Sequence, residues 1–205
     1  MANSTGKRYT IFLYWAFWVG VAFFTVYPSA NWLTSHRDDL FHLYLSTELL
    51  IPFIPQMIWV YLSMYVLFLL PAFMLAEDDM PRLGKQLIAG TLVGGVCFLL
   101  FPATLGFERT VPATAPYNHL FAAIFSIDRP HNLVPSLHVM FSSCIILALA
   151  ERVRGWVFAL FMLWLVVLLG STILVHQHHI LDVAAGLALT FVLRAYYGRE
   201  SCLNI

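Results

Sequence analysis

The chain is poor in charge. Only 11% of its 205 residues are Asp, Glu, Lys or Arg, and 11 basic side chains are balanced by 11 acidic ones. A soluble domain carries about 25% charged residues, so an ordinary water-facing surface is excluded. The zero net charge lacks the basic excess that a nucleic-acid partner requires. Cysteine is scarce as well. Cys97, Cys144 and Cys202 are scattered, two of them in apolar runs, with no C-x-x-C spacing. An odd count builds no closed disulfide framework, and the three read as small packing residues. Internal repeats, low-complexity tracts and a second domain are also missing, so residues 1–205 read as one integral membrane domain. What fills the chain is apolar: 60% of residues are hydrophobic and the mean hydropathy is +0.79.

A bilayer core takes about 20 apolar residues in a helix. Six segments meet or approach that length, near 9–27, 57–76, 86–105, 135–150, 155–175 and 179–197. The expected fold is therefore all-α, a polytopic membrane bundle of six transmembrane helices. The fourth segment is short by itself, and Asn132–Val134 or the turn at Glu151 would extend it. The first follows Lys7 and Arg8 but is long, aromatic-rich and without a clear cleavage site, so it reads as a retained helix and not a signal peptide. Gly90-x-x-x-Gly94 is a helix-packing pattern.

Six crossings fix the sidedness of the loops. Lys7, Arg8, Arg82, Lys85, Arg152, Arg154, Arg194 and Arg199 fall on one side, and Arg37, Arg109 and Arg129 on the other. The positive-inside rule then places both termini in the cytoplasm. Two loops longer than a turn requires, Pro28–Gln56 and Gly106–Val134, face outward, where long loops are more often functional than idle. Within the second, Tyr117–Ile127 is apolar enough to lie along the membrane surface.

Polar groups in so apolar a chain are informative, because ionisable residues near membrane helices are costly. Five of the eight histidines fall in two clusters on that outer face. The first, Asp128-Arg129-Pro130-His131-Asn132-Leu133-Val134-Pro135-Ser136-Leu137-His138, opens the fourth helix. Pro135 suits a first helical turn, and a helix N-terminus offers N–H groups and partial positive charge to an anion. Ser136 adds a hydroxyl, and His138 sits one turn in. The second cluster runs from Ser171 to Asp182 through His176, His178 and His179. His178 and Asp182 are four apart and would share a helical face. A carboxylate there holds one ring nitrogen as a donor and leaves the other free as a nucleophile.

These fragments resemble the type 2 phosphatidic acid phosphatase superfamily. Pro135-Ser136-Leu137-His138 stands in place of its P-S-G-H motif. Ser171-Thr172, five residues, His178, three residues and Asp182 reproduce the spacing of its S-R-x5-H-x3-D motif. The resemblance implies a six-helix core and a phosphohistidine enzyme. His178 would attack phosphorus, Asp182 would orient it, and His138 would protonate the leaving oxygen and then activate the acceptor. Ser136, Ser171 and backbone amides would hold phosphate oxygens, with no metal and no cofactor. Two departures stand out. The family's third-motif arginine is Thr172, and its K-x6-R-P motif is absent, because the position seven before Arg129 is Ala122. Arg109 and Arg129 are then the candidate basic phosphate ligands. Reduced arginine motifs, Ile51-Pro52-Phe53-Ile54-Pro55 and the run into Pro-Ser-Leu-His look like the sphingomyelin synthase and inositol phosphorylceramide synthase branch.

The expected activity is hydrolysis of a lipid phosphate, with headgroup phosphotransfer as the alternative and a non-catalytic scaffold or lipid transporter as the competing classes. The partners are a lipid phosphate or phospholipid substrate and the surrounding membrane lipids. The small size favours a bacterial inner membrane, with the site periplasmic or extracellular. Several residues carry plainer expectations. His179 could replace His178 as nucleophile, His176 faces away, and His176–His179 could hold zinc only with further ligands. His36, His42 and His119 read as interfacial, His131 stays open, and Asp38, Asp39 and Glu48 are expected in water or at the interface.

Overall fold

The computed structural model describes residues 2–203, with side chains for 6–198; Arg199 and Cys202 lie outside the described side chains. The described residues form helices and loops with no strand; one isolated parallel bridge joins Phe41 to Ala103. Among the described residues nine α-helices follow in chain order: α1 Ala2–Thr34, α2 Ile58–Leu62, α3 Met64–Leu67, α4 Pro71–Met74, α5 Met80–Leu100, α6 Tyr117–Ile127, α7 Leu137–Ala150, α8 Gly155–Leu174 and α9 Ile180–Leu203. Four stretches, Gly6–Thr34, Glu77–Leu100, Gly155–Leu174 and Ile180–Gly198, are long and apolar enough to cross a membrane.

Several boundaries differ from the sequence expectation. The first helix passes through Pro28 and ends at Thr34. Tertiary bonds hold the stretch around and beyond this proline: Asn132 Nδ2 donates to Tyr27 O at 3.2 Å, and Thr34 Oγ1 to Asn132 Oδ1 at 3.1 Å. The span expected near 57–76 is a run of short helical pieces, α2 to α4, linked by i to i+3 bonds such as Val66 N–H to Ser63 O and Leu69 N–H to Val66 O. Pro71 withholds one backbone donor there, and Ser63 turns its hydroxyl onto Val60 O while accepting the Trp164 indole N–H at 2.8 Å. The helix α5 starts six residues earlier than expected, since proline is welcome in a first turn, and it stops before Pro102.

The centre of the bundle is α7. Of its 14 residues, all but Leu147 are buried, among α3, α4, α5, α8 and α9. Glycines on α5 allow close contact on two faces. A Cβ at Gly84 or Gly95 would collide with Trp15 or Val26 of α1, and one at Gly90 or Gly94 with Met140 or Leu137 of α7. The other face of α1 is bare, with Leu13, Phe17 and Phe24 more than 60% exposed, as a lipid-facing helix requires.

One end of the bundle is ionic. Lys7 pairs with Glu77, Arg82 with Asp79 and Glu151, Arg152 with Asp79, and Arg194 with Glu151. Basic residues from four chain regions thus meet at one end. Both histidine clusters lie at the other, under paired loops: Phe41 N–H donates to Pro102 O at 2.8 Å, Ala103 N–H to His131 O at 3.2 Å, and Ile54 N–H to Leu174 O at 2.9 Å.

Candidate active site

Three turns build the site. The first is the sharp reversal after α8. His176 takes a positive φ of 55°, a conformation to which histidine is among the more tolerant side chains. The reversal lets Gln177 and His178 both donate backbone N–H to Thr172 O, at 3.0 and 3.1 Å. The second turn starts α9. His178 lies before this helix, not on it, so the expected shared helical face is replaced by a cap. Asp182, three residues past the N-cap His179, reaches back and accepts the His179 N–H at 2.8 Å and His178 Nδ1 at 3.2 Å through one oxygen, Oδ2. This is half of a capping box, and the dipole of α9 favours the carboxylate there. Asp182 is 1% exposed, and its other oxygen finds no partner among the described residues. With Nδ1 donating to Asp182, the Nε2 lone pair of His178 is free.

The third turn opens α7. Ser136 is its N-cap, with Oγ accepting the Val139 N–H at 3.3 Å. Pro135 therefore precedes the helix instead of occupying its first turn. Ser136 keeps its own O–H to donate, and its N–H donates to Asp182 O at 3.1 Å, which joins α7 to α9. Gly186 permits this closeness, because a Cβ there would stand 2.7 Å from Ser136 O. His138, buried on the first turn, stacks on Tyr61 with ring centroids 4.0 Å apart, and its Nε2 finds no partner among the described residues. His178 and His138 lie within electrostatic reach of one another.

The candidate phosphate ligands separate. Arg109 belongs to the cluster. It lies across Phe125 at 4.9 Å, donates through Nη1 to Asp128 O, and has a buried, unpartnered Nε. Asp128 in turn takes the Tyr27 O–H and feels the charges of Arg109 and His178; burial, outweighing these partners, pushes its pKa up. Arg129 is exposed and donates to the Ser35 hydroxyl at the end of α1. Ser171 is fully buried, with its hydroxyl on Leu168 O at 2.6 Å, and Thr172 likewise bonds Leu169 O at 2.8 Å.

Sequence reasoning missed Glu48. Expected in water or at the interface, it is 4% exposed. It accepts Ile180 N–H at 2.9 Å, Leu45 N–H at 3.0 Å and His179 Nδ1 at 3.2 Å. Burial raises its pKa, but those hydrogen bonds and His179 outweigh it and bring the value below the usual carboxylate range. The signal was a lone acid within Leu45–Pro55, a stretch otherwise without charge. His131 Nδ1 rests 3.4 Å from Ala103 O, and His176 bonds Ile51 O at 3.0 Å, away from His178 and Asp182. No group of three His, Cys, Asp or Glu side chains among the described residues is arranged to hold a metal ion.

Apolar helices around a buried histidine–carboxylate pair define an integral membrane protein with a polar site at one end of its bundle. Residues 42–196 match the family model described as the PAP2 superfamily, and the chain belongs to that superfamily. No curated protein and no solved structure matches it. Members of the superfamily are generally phosphatases or phosphotransferases, and membership supports an enzyme that acts on lipid phosphates.

Proposed function

We propose that the protein hydrolyses a lipid phosphate through a phosphohistidine on His178. The observation that carries this reading is the His178 Nδ1 to Asp182 Oδ2 contact of 3.2 Å beside a buried His138 whose Nε2 is unpartnered. In the first step His178 Nε2 attacks phosphorus, and the P–O bond to the lipid breaks. The leaving oxygen takes a proton from His138, and Asp182 balances the charge that grows on His178. In the second step His138 removes a proton from water, the new oxygen bonds to phosphorus, and the P–N bond breaks. His178 is restored and inorganic phosphate leaves. Arg109, the Ser136 hydroxyl and the N–H groups of Leu137 and His138 hold phosphate oxygens; the first N–H groups of a helix have no intrahelical acceptor. No metal enters these steps.

The same proposal covers topology. The segment from Ile58 to Met74 and α7 cross the bilayer with the four longer helices, giving six crossings. A helix as enclosed as α7 does not face lipid and need not match its thickness. The positive-inside rule supports a cytoplasmic ionic end and a site at the outer face, and the small size of the chain favours a bacterial inner membrane.

A second reading, transfer of a phosphate-linked headgroup to a lipid alcohol, is favoured by one observation. Thr172 bonds its own helix where the family arginine would add a guanidinium. The test is product analysis in detergent with lipid phosphates and phospholipids, with and without a lipid alcohol and with a chelator present. Free phosphate lost in His178→Ala supports hydrolysis, and a new phospholipid formed only with the alcohol moves the assignment to transfer. Wild-type turnover by His178→Ala would sink the mechanism. No product across the panel would favour a scaffold or transporter.

A further inference from the structure

Beside His178 lies a second carboxylate–histidine pair that the steps above do not use. His179 is 1% exposed and Glu48 4%, yet both are ionisable. The His179 ring is held on every side. Tyr44 stacks on one face at 4.5 Å and Phe107 on the other at 4.4 Å, and Phe107 continues onto His176 at 4.0 Å. In the ring plane, Nδ1 meets Glu48 Oε2 at 3.2 Å, and Nε2 accepts the Gly106 N–H at 3.1 Å. A backbone N–H only donates, so Nε2 carries the lone pair and the proton sits on Nδ1, facing the carboxylate. One neutral tautomer satisfies both contacts.

Those contacts join three separate loops. Glu48 comes from the loop after α1. Gly106 comes from the loop after α5, three residues before Arg109. His179 is the residue after His178, and its N–H is bound by the same Asp182 oxygen that meets His178. Gly106 is fitted to this junction, since a Cβ on it would stand 2.4 Å from the Tyr44 ring. The linkage therefore runs from the Arg109 loop, through one imidazole, into the turn that holds His178.

We propose that His179, oriented by Glu48, is a positioning residue that fixes the Arg109 loop against the His178–Asp182 turn and so sets the phosphate clamp relative to the nucleophile. This rests on the reading of Arg109 and His178 given above. His179 touches no substrate; it acts through Gly106 on Arg109. Misplacing a phosphate ligand by about 1 Å costs on the order of 100-fold in rate, so the junction should matter to catalysis well beyond its share in folding.

The experiment is a double-mutant cycle on the full-length protein in detergent, with Arg109→Ala, His179→Ala and the double variant. Turnover of a lipid phosphate and competitive inhibition by inorganic phosphate are read for each, and thermal melting verifies folding. Residues acting through one another give non-additive losses. The expected result is that both single variants weaken phosphate inhibition about ten-fold or more and that the double variant is no worse than Arg109→Ala. His179→Gln, whose side-chain oxygen can accept the Gly106 N–H, should recover part of the loss. If His179→Ala does not fold, Glu48→Gln, which removes the charge holding the proton on Nδ1, takes its place in the cycle with the same expectation. A loss in Arg109→Ala with an additive or absent effect at position 179 would overturn the coupling alone. Phosphate inhibition untouched by Arg109→Ala would overturn the clamp and the coupling with it.

Discussion

Replacing Gly186 with alanine isolates geometry from chemistry, because it adds one methyl group and removes no functional atom. The new Cβ would stand 2.7 Å from Ser136 O and 3.0 Å from Val139 Cβ. Neither neighbour yields easily: one is main chain at the N-cap of α7, the other a β-branched side chain stiff at χ1. Return to ordinary contact at 3.4 Å requires α9 to retreat from α7 by about 0.7 Å at that point. The same contact aligns Ser136 and His138 on one helix with His178 and Asp182 beside the other, through the 3.1 Å bond from Ser136 N–H to Asp182 O. A displacement near 1 Å between reacting groups costs up to about 100-fold, so Gly186→Ala should lower kcat by at least about ten-fold. Overpacking costs about 1–3 kcal/mol in stability, so the variant should still fold. Gly90→Ala is the control. Its Cβ would also collide with α7, but with the flexible end of Met140, Cε at 2.4 Å, which can swing aside. The assay is phosphate release from a lipid phosphate in detergent, paired with thermal melting. Equal activity in the two variants at comparable stability would refute the claim that the α7–α9 contact sets the site.

The two candidate arginines should differ. Arg109→Ala should raise KM and weaken phosphate inhibition about ten-fold or more, whereas Arg129→Ala, at an exposed residue bound to Ser35, should change either by less than about two-fold. Equal losses would show that both guanidinium groups reach the substrate. Burial lowers the pKa of His131, His176 and His179 from 6.5, most directly opposed at His179 by Asp182 and Glu48 and reinforced by His178. The unfolded chain then binds more protons than the folded one, so stability is full above about pH 6.5 and is lost as pH falls through the depressed values. The melting temperature in detergent should drop between about pH 7.5 and pH 5.5, and a flat or rising curve would contradict the buried neutral imidazoles. For topology, single cysteines introduced as Glu108→Cys and Arg154→Cys should react with an impermeant thiol reagent from opposite sides of sealed cells. Labelling from the same side would exclude the six-crossing arrangement.

Much of the candidate site was legible because it rests on local spacing. His178 and Asp182 are four apart, Ser136 and His138 two apart, and no long-range fold is required to see either pattern. Even so, the local reason differed from the expected one: His178 precedes α9, and the pairing is a carboxylate reaching back over a helix start. Helix ends were less legible: the segment expected to reach residue 105 stops before Pro102, and the one expected to end at 27 runs on to Thr34. Pro28 does not stop α1, and Asn132, more than a hundred residues away, supplies hydrogen bonds around and beyond that proline. The helix near 57–76 broke where Ser63 is drawn to Trp164 on α8.

Glu48 marks the limit of local reading and explains how so apolar a protein can hold a charged site. Its partners His179 and Ile180 lie 131 and 132 residues away, and nothing in their local patterns requires it. Yet a membrane protein cannot leave a carboxylate in an apolar loop unpaid for in hydrogen bonds. Glu48 lies in a segment otherwise free of charge, so it had to be either solvated or matched at long range. The matching groups are those that a helix start provides: an unbonded N–H at Ile180 and a ring N–H at His179. The same logic applies to Asp182, which finds the His179 N–H and His178. Two carboxylates thus converge on the positive end of one helix, and each holds an imidazole by its Nδ1. In a chain with 11% charged residues, a lone acid flanked by apolar residues is therefore better evidence of a distant helix terminus than of an exposed loop.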